Sequence, residues 1–525
     1  MSATEAEKTE EKKGGELLFC GGTNWDTLGR KGVPNETNLI SPTRLRPLMN
    51  IDIRFVASGC ASAHCVALDV QGRCYTWGKN KNGQLGHGDF IQRDRPTLVS
   101  ALSKYTIIKA GAGRSHTVVV TDEGNSFSFG WNKHGQLGSG STKNESEKSP
   151  VPCGVPEVTT AVCGGDFTVW LSSVEGSSIL TAGLPQYGQL GHGTDNEYNT
   201  RDSSVKLAYE AQPRPKAIAS LAEKSIVKVA CGTNHTVAVD SNGFVYTWGY
   251  GGYGRLGHRE QKDEFSPRLV EVFQRNNVLP PDAIISAGSV NSACTAGGGQ
   301  LYIWGKIKST GDDWMYPKPL MDLSGWNIRC MDSGSMHHFV GADDSCISWG
   351  LSQCGELGHG PLGPKSSANP KKVEILNGVH VMSVACGFSH SLIVVDRTDF
   401  EDRLDQLDVY DGKDPGEGST VAESECPVAK KPKQSAAKAS PKSTNKRKKS
   451  KDVSESEDDD EEEDNGSEES SEDEESHRSN GHAKGRGGRG KKGAGRGRGR
   501  PPAGKKTPEP AVKTSSGKRG RPRKS

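Results

Sequence analysis

Up to Val395, apolar residues recur in short alternating runs such as "HTVVVT" and "VYTWG", each cut off by Gly, Asn or Asp. Period-two alternation over a handful of residues, bounded by turn formers, predicts β-strands. One stretch organises the pattern: Tyr75–Asp89, "YTWGKNKNGQLGHGD". Its aromatic and β-branched start suits a pleated, half-buried surface. Gly78, Gly83, Gly86 and Gly88 then permit a turn that side chains would block.

The stretch recurs seven times, starting at Gly21, Gly78, Gly130, Gly183, Gly249, Gly305 and Gly350, at spacings of 45 to 66 residues. The copy at Gly305, "GKIKSTGDDW", is badly decayed. Between copies runs a second unit, a small residue and a glycine, often a histidine, then an alternating strand, as in "VACGTNHTVAVDSNGFVYTWG" (Val229–Gly249). Several short strands per period and no long helical pattern predict blades of a β-propeller. "ELLFCGG" (Glu16–Gly22) stands where "VYTWG" stands elsewhere, yet lacks preceding strands; "VMSVACGFSHSLIVV" (Val381–Val395) lacks a following "YTWG". The N-terminal strand is therefore expected to complete the last blade and close the ring.

These units resemble the regulator of chromosome condensation repeat, over roughly Glu16–Val395. "NWDTLGRK" (Asn24–Lys31), "YGGYGRLGHREQKDE" (Tyr250–Glu264) and "MYPKPLMDLSGWNIR" (Met315–Arg329) are similar to the telophase-disc branch of that family. The resemblance implies an all-β, seven-bladed propeller that engages a small GTPase on one face. It also implies roles in cell division and a Rac-, Ral- or Ran-like partner, with microtubules as a further one. Exchange of guanine nucleotide needs no covalent chemistry, only tighter binding of the nucleotide-free GTPase. The alternative is a propeller scaffold that binds chromatin without catalysing exchange; the degenerate sixth turn and the long inter-strand insertions leave both open.

Charge changes the picture only when divided. The 525 residues hold 67 Lys+Arg and 65 Asp+Glu; 27 and 17 of these lie in residues 426–525, leaving 40 and 48 for the rest. The expected organisation is a lead-in over residues 1–15, a propeller over 16–397, and a disordered tail over 398–525, whose composition cannot bury a core. "DFEDRLDQLDVY" (Asp399–Tyr410) reads as a short helix at its start. The tail has basic clusters within 430–451, an acidic run over 454–476, and a basic end over 484–525. Lys446, Arg447, Lys448, Lys449 and Lys451 form "KRKKSK" with Ser450, a pattern that reads as a nuclear localisation signal. Arg498-Gly499-Arg500-Pro501 and Arg519-Gly520-Arg521-Pro522 resemble AT-hooks. There glycine lets the backbone sink into a narrow minor groove and arginine meets the negative potential of A·T-rich DNA. The acidic run fits either histones or a fold-back onto the basic end as an electrostatic brake. A nuclear, chromosome-associated protein, at centromere and spindle in mitosis, is the expectation.

Other chemistry is sparse. No apolar run approaches a membrane span, no Cys spacing suggests a metal or dithiol site, and neither metal nor cofactor is expected. Cys163, Cys231 and Cys386 occupy a position that is otherwise Ser or Ala, which suits compact packing. His116, His235 and His390, and His87, His192 and His359, recur once per repeat, so they are expected to lock turns rather than catalyse. The insertions at Thr194–Lys224 and Arg259–Asp282 are candidate binding loops. If the N-terminal strand closes the ring, deleting Glu16–Gly22 abolishes cooperative unfolding in urea; a deletion variant melting like the parent would refute closure.

Overall fold

The structure, a computed structural model, describes residues 13–28, 37–199, 207–307, 313–398 and 400–412. Six antiparallel four-stranded sheets follow one another along the chain as blades 1 to 6, over residues 53–98, 107–152, 158–217, 226–269, 285–319 and 328–372. Blade 7 is composite: Val381–Cys386 and His390–Val395 from the C-terminal side pair with Glu16–Gly21 and Leu39–Leu45 from the N-terminal side. Register runs without a break from Glu16↔Val395 to Gly21↔His390. The innermost strands touch in cyclic order, the seventh against the first, so the ring is closed. The seven-bladed expectation holds, as does closure by the N-terminal strand.

Each blade contributes its second strand as a wholly buried element, because both faces of that strand meet a neighbouring blade. In His64–Asp69, Cys65 and Ala67 enter the seam with blade 7, while Val66 and Leu68 enter the seam with blade 2. The hydrophobic core is correspondingly divided into seven clusters, one per seam. The third strand's aromatic residue points back at the preceding blade: Trp77, Phe129, Trp248, Trp304 and Trp349 are all at most 1% exposed. Burying one such ring stabilises by about 3 kcal/mol or more. The tryptophans are core residues, and Cys163, Cys231 and Cys386 are buried free thiols.

Outer strands depart from the sequence expectation. Thr194–Lys224 contains the regular outer strand of blade 3, Gln212–Ala217, and Arg259–Asp282 contains that of blade 4, Glu264–Leu269. Only residues 194–211 and 270–284 are added connections. All seven outer strands carry proline just before the residue paired with the "YTWG" threonine position: Pro42, Pro96, Pro150, Pro215, Pro267, Pro317 and Pro370. Proline donates nothing to a ladder, so it belongs on a free edge, which it also shields from other chains.

The packed unit also reaches past both expected boundaries. Gly15 exchanges backbone hydrogen bonds with Ile53, and Lys13 pairs with Asp396. Beyond residue 397, a one-turn helix (Glu401–Leu404) buries Leu404, with Phe400 and Leu407 beside it. Val409–Tyr410 then adds a parallel fifth strand to blade 7. Glu16, 1% exposed, is held by Arg44 at 3.2 Å and Arg397 at 2.9 Å, a buried carboxylate that would be costly without those partners. The tail motifs at 446–451, 498–501 and 519–522 lie outside the described residues.

The turn glycines Gly86, Gly138, Gly191 and Gly257 of the "LG" pair each lie on the next blade's aromatic ring, while Gly358 lies on Cys20. At Gly86 (φ +76°) an added Cβ would sit 2.9 Å from Phe129; at Gly325 (φ +85°) it would meet nothing within 4 Å. Gly86→Ala therefore combines backbone strain with a seam clash and is expected to cost about 3 kcal/mol, against about 1 kcal/mol for Gly325→Ala. Urea midpoints of the two variants check this; equal losses would show that the turn does not press on the seam.

Candidate partner-binding face

The strands of a blade alternate in direction, so the inner-to-second and third-to-outer connections share one face of the ring. That upper face carries all the glycine–histidine loops and all the "GQLGHG" turns. Most of their polar groups are consumed locally, although Nε2 of Gln84, Gln136 and Gln189 is buried without a partner among the described residues. In blade 1, Asn80 accepts from Leu85 N (3.0 Å) and donates to Ile91 O (2.9 Å), and Gln84 accepts from Asn82 N (3.0 Å). Thr76 donates to Leu85 O (2.8 Å) and contacts His87 Nε2 (3.0 Å). The pairs Thr181–His192, Thr247–His258 and Ser348–His359 repeat the lock.

A second lock joins blades. His64 Nε2 lies 2.7 Å from Thr117 Oγ1 in blade 2, and Thr117 donates its one proton to Gln84 O of blade 1 (2.7 Å). The hydroxyl must then accept from imidazole, which fixes a neutral ring protonated at Nε2. His116–Thr168, His235–Ser292 and His337–Ser391 repeat the geometry at 2.8–2.9 Å, and His390 reaches Ser58 (3.0 Å) across the closing seam. The expectation that the recurrent histidines lock turns is correct, but His64 and His337 belong to the set and were not singled out. His337 stands in "GSMH", a plain G-x-x-H that doubled histidine obscured; His64 follows a loop two residues longer than its counterparts.

That longer loop fills the ring axis. Cys60 Sγ reaches Thr233 Oγ1 of blade 4 (3.4 Å), Thr233 donates to Ser289 (3.0 Å), and Ser289 donates to Cys60 O (3.5 Å). The upper mouth is thus bridged, and recognition falls to the loops around it. A cavity of about 280 Å³ between blades 6 and 7 is lined by Ile40, Cys354, His359 and Lys365 among others. Burial pushes the Cys354 thiol up to about 11, so it is a poor nucleophile. Among the described residues no cluster of His, Cys, Asp and Glu could hold a metal ion.

What stands free of the locks is the added segment of blade 3. Glu197–Asn199 and Leu207–Tyr209 form a hairpin on the upper face, with Tyr198 50% exposed. At its base Tyr187 packs against Tyr250 of blade 4 (4.7 Å between centroids). The Tyr250 ring carries the Arg255 guanidinium at 4.5 Å, and Arg255 donates to Ser289 O at the axis (2.6 Å). The first half of Thr194–Lys224 is thus this added segment, and the second half returns to the outer strand of blade 3. The DNA-binding and localisation residues proposed from sequence fall outside the described residues.

The regulator of chromosome condensation (RCC1) repeat model matches residues 71–120, 123–171, 178–239, 242–292 and 343–394. Protein RCC2 of Mus musculus is 39% identical over 443 residues, 78% of this chain and 83% of the relative. The chain belongs to the RCC1-repeat family and is of the RCC2 type. Protein RCC2 of Homo sapiens is 38% identical over 425 residues, 74% of this chain and 79% of the relative. Prp20p of Saccharomyces cerevisiae, solved in a study of its binding to Gsp1p and histones, shares the fold at TM-score 0.58 and 18% identity, over 78% of this chain and 98% of that one. The repeat model passes over residues 293–342, where the sixth turn has decayed, yet those residues still form regular strands of blades 5 and 6.

Burial holds the inter-blade imidazoles neutral: His64 and His390 are pushed down to about 3 and His116 to about 4. Unfolded, each titrates near 6.5, so the unfolded chain takes up protons first as pH falls. Their stabilisation is complete above about pH 6.5 and is lost progressively down to about pH 4 for His116 and about pH 3 for His64 and His390, at up to about 1.4 kcal/mol per pH unit for each ring. Asp332, raised to about 7 by burial, works in the opposite direction but is one group against several. Urea midpoints of the full chain should drop steeply between pH 6.5 and 4.5, and His116→Asn should flatten that slope. A pH-independent midpoint would refute the neutral latch.

Proposed function

We propose that this chain regulates a small GTPase through the upper face, with the blade 3 hairpin as the element that enters the GTPase. The observation that carries the reading is the contrast on that face. Repeat-derived turns are locked by their own side chains, while the hairpin projects Tyr198 into solvent beside Tyr187 and Tyr250. Tyrosine and arginine are the residues that dominate interface energetics when a rigid scaffold presents them. The family to which the chain belongs, and the binding to Gsp1p that is stated for Prp20p, support the same reading. Stabilising the nucleotide-free state would accelerate release without any covalent step. The partner is Rac-, Ral- or Ran-like.

The tail residues set the place of action. The Arg498–Pro501 and Arg519–Pro522 motifs hold the protein on A·T-rich DNA, the acidic run meets histones, and the 446–451 cluster directs it to the nucleus; at mitosis this places it with chromosomes and spindle microtubules.

Fluorescent-nucleotide release from a panel of small GTPases tests the reading. The full chain is expected to accelerate release from one or two members selectively, and deleting residues 196–210 should lower that rate about tenfold or more without moving the melting temperature. No acceleration from any member by folded protein would instead favour a chromatin-binding scaffold without exchange activity.

A further inference from the structure

The outer strand of blade 5, Trp314–Pro319, reads "WMYPKP", whereas the other six outer strands are polar and lack Trp and Tyr. Lys318 Nζ lies over both the Trp314 and Tyr316 rings, at 5.1 and 5.3 Å from their centroids. Arg259, from the turn of blade 4, covers Tyr316 at 4.5 Å. Closer to the axis, Lys306 covers Tyr253 at 4.6 Å. Arg259 is exposed and the others half-buried.

The manner in which these cations are held decides what they can do. Among the described residues, Arg259, Lys306 and Lys318 have no carboxylate partner. Arg268 nearby differs, being neutralised by Glu260 and Glu264, both at 2.6 Å. A carboxylate would cancel the field of a cation; a ring face fixes its position and leaves the charge in place. The result is a rigid row of uncompensated positive charge along the blade 4–5 rim. Pro317 and Pro319 lie in the strand, so an incoming chain is recognised by its side chains rather than by strand addition. Arg259 and Lys318 each lie on a face of these rings, where they compete with a stacking base.

We infer that this rim is a docking surface for an acidic, extended segment of a partner protein, its carboxylates paired with Arg259, Lys306 and Lys318. The surface acts independently of the GTPase reading, since it needs neither the hairpin nor nucleotide.

Hydrogen–deuterium exchange on the full chain, with an added poly-glutamate peptide, reads this surface locally and so separates it from the basic residues 478–525. Protection is expected in residues 313–319 and 258–262. Arg259→Glu with Lys318→Glu should raise the peptide concentration for half-maximal protection about tenfold or more. Lys104→Glu, which removes a cation held on Tyr105 in the connection between blades 1 and 2, should leave it unchanged. Higher salt should weaken the protection. Absence of protection there, protection that survives the double charge reversal, or equal protection by oligo-dT would overturn the proposal. So would protection appearing only after residues 454–476 are deleted, because the occupant would then be the chain's own acidic run.

Discussion

Everything in this structure depends on the hydrophobic core lying between blades rather than within them. A blade has two apolar faces and no interior, so the second strand of each, buried on both sides, is stable only with a neighbour on each flank. Seven seams each hold one cluster of apolar side chains. An open arc would leave two of these half-clusters in water. That is why the chain brings residues 13–21 and 39–45 to its last blade and then fastens the join with buried charge (Arg44 and Arg397 on Glu16) and with residues 400–412.

The latches follow from the same constraint. Closing a seam buries the strand-end hydroxyls and the turn carbonyls, which must be satisfied inside or cost energy. Histidine does this with one neutral ring reaching across the seam. Where the repeat lacks the residue, something else takes over. At blade 3, Phe167 replaces histidine and Trp248 Nε1 donates to Gln189 O (2.9 Å). At blade 5, Asn291 stands in the histidine position and His338 in the hydroxyl position. There Asp332 joins three blades, accepting from Ser286 (3.3 Å) and from Cys386 N (2.8 Å). A buried carboxyl without a cation is an expensive substitute, and its raised pKa is the sign of that expense.

How much of this was legible in the sequence follows from which signals periodicity carries. Glycine and aromatic positions repeat because geometry forces them to, so the blade count, ring closure and the locking role of the histidines could be read directly. The outer strands could not: "RDRPTL" and "SANPKK" present one free edge to water, and their polarity and proline resemble a loop. The extension to residue 412 was hidden for a related reason. Its apolar residues, Phe400, Leu404 and Leu407, are few and spaced among acids, so only the blade they cover reveals their burial. The insertion that holds the hairpin was visible as a polar stretch, but the hairpin and its aromatic base were not, because Tyr187 and Tyr250 meet only when blades 3 and 4 are side by side.

A repeat that spends its polar groups on locking itself has little left for recognition. Asn80, Gln84, Thr76 and His87 are all committed within their own turn, and the same holds in each regular blade. Recognition therefore has to come from departures from the repeat, and these are concentrated in blades 3 to 5. They are the added hairpin, the turn in which Gly251, Tyr253 and Arg255 replace the Asn, Asn and Gln of blade 1, and the aromatic outer strand at Trp314. In that turn the usual asparagine and glutamine locks are gone, and Arg255 holds the loop by donating to Gly252 O (2.9 Å) and Ser289 O (2.6 Å). One buried guanidinium thus stands where two amide locks stand elsewhere, with the Tyr250 and Tyr253 rings against it at 4.5 and 5.5 Å. The loss of the repeat pattern there keeps the turn anchored at the ring axis and puts tyrosine rings where the regular turns carry amides.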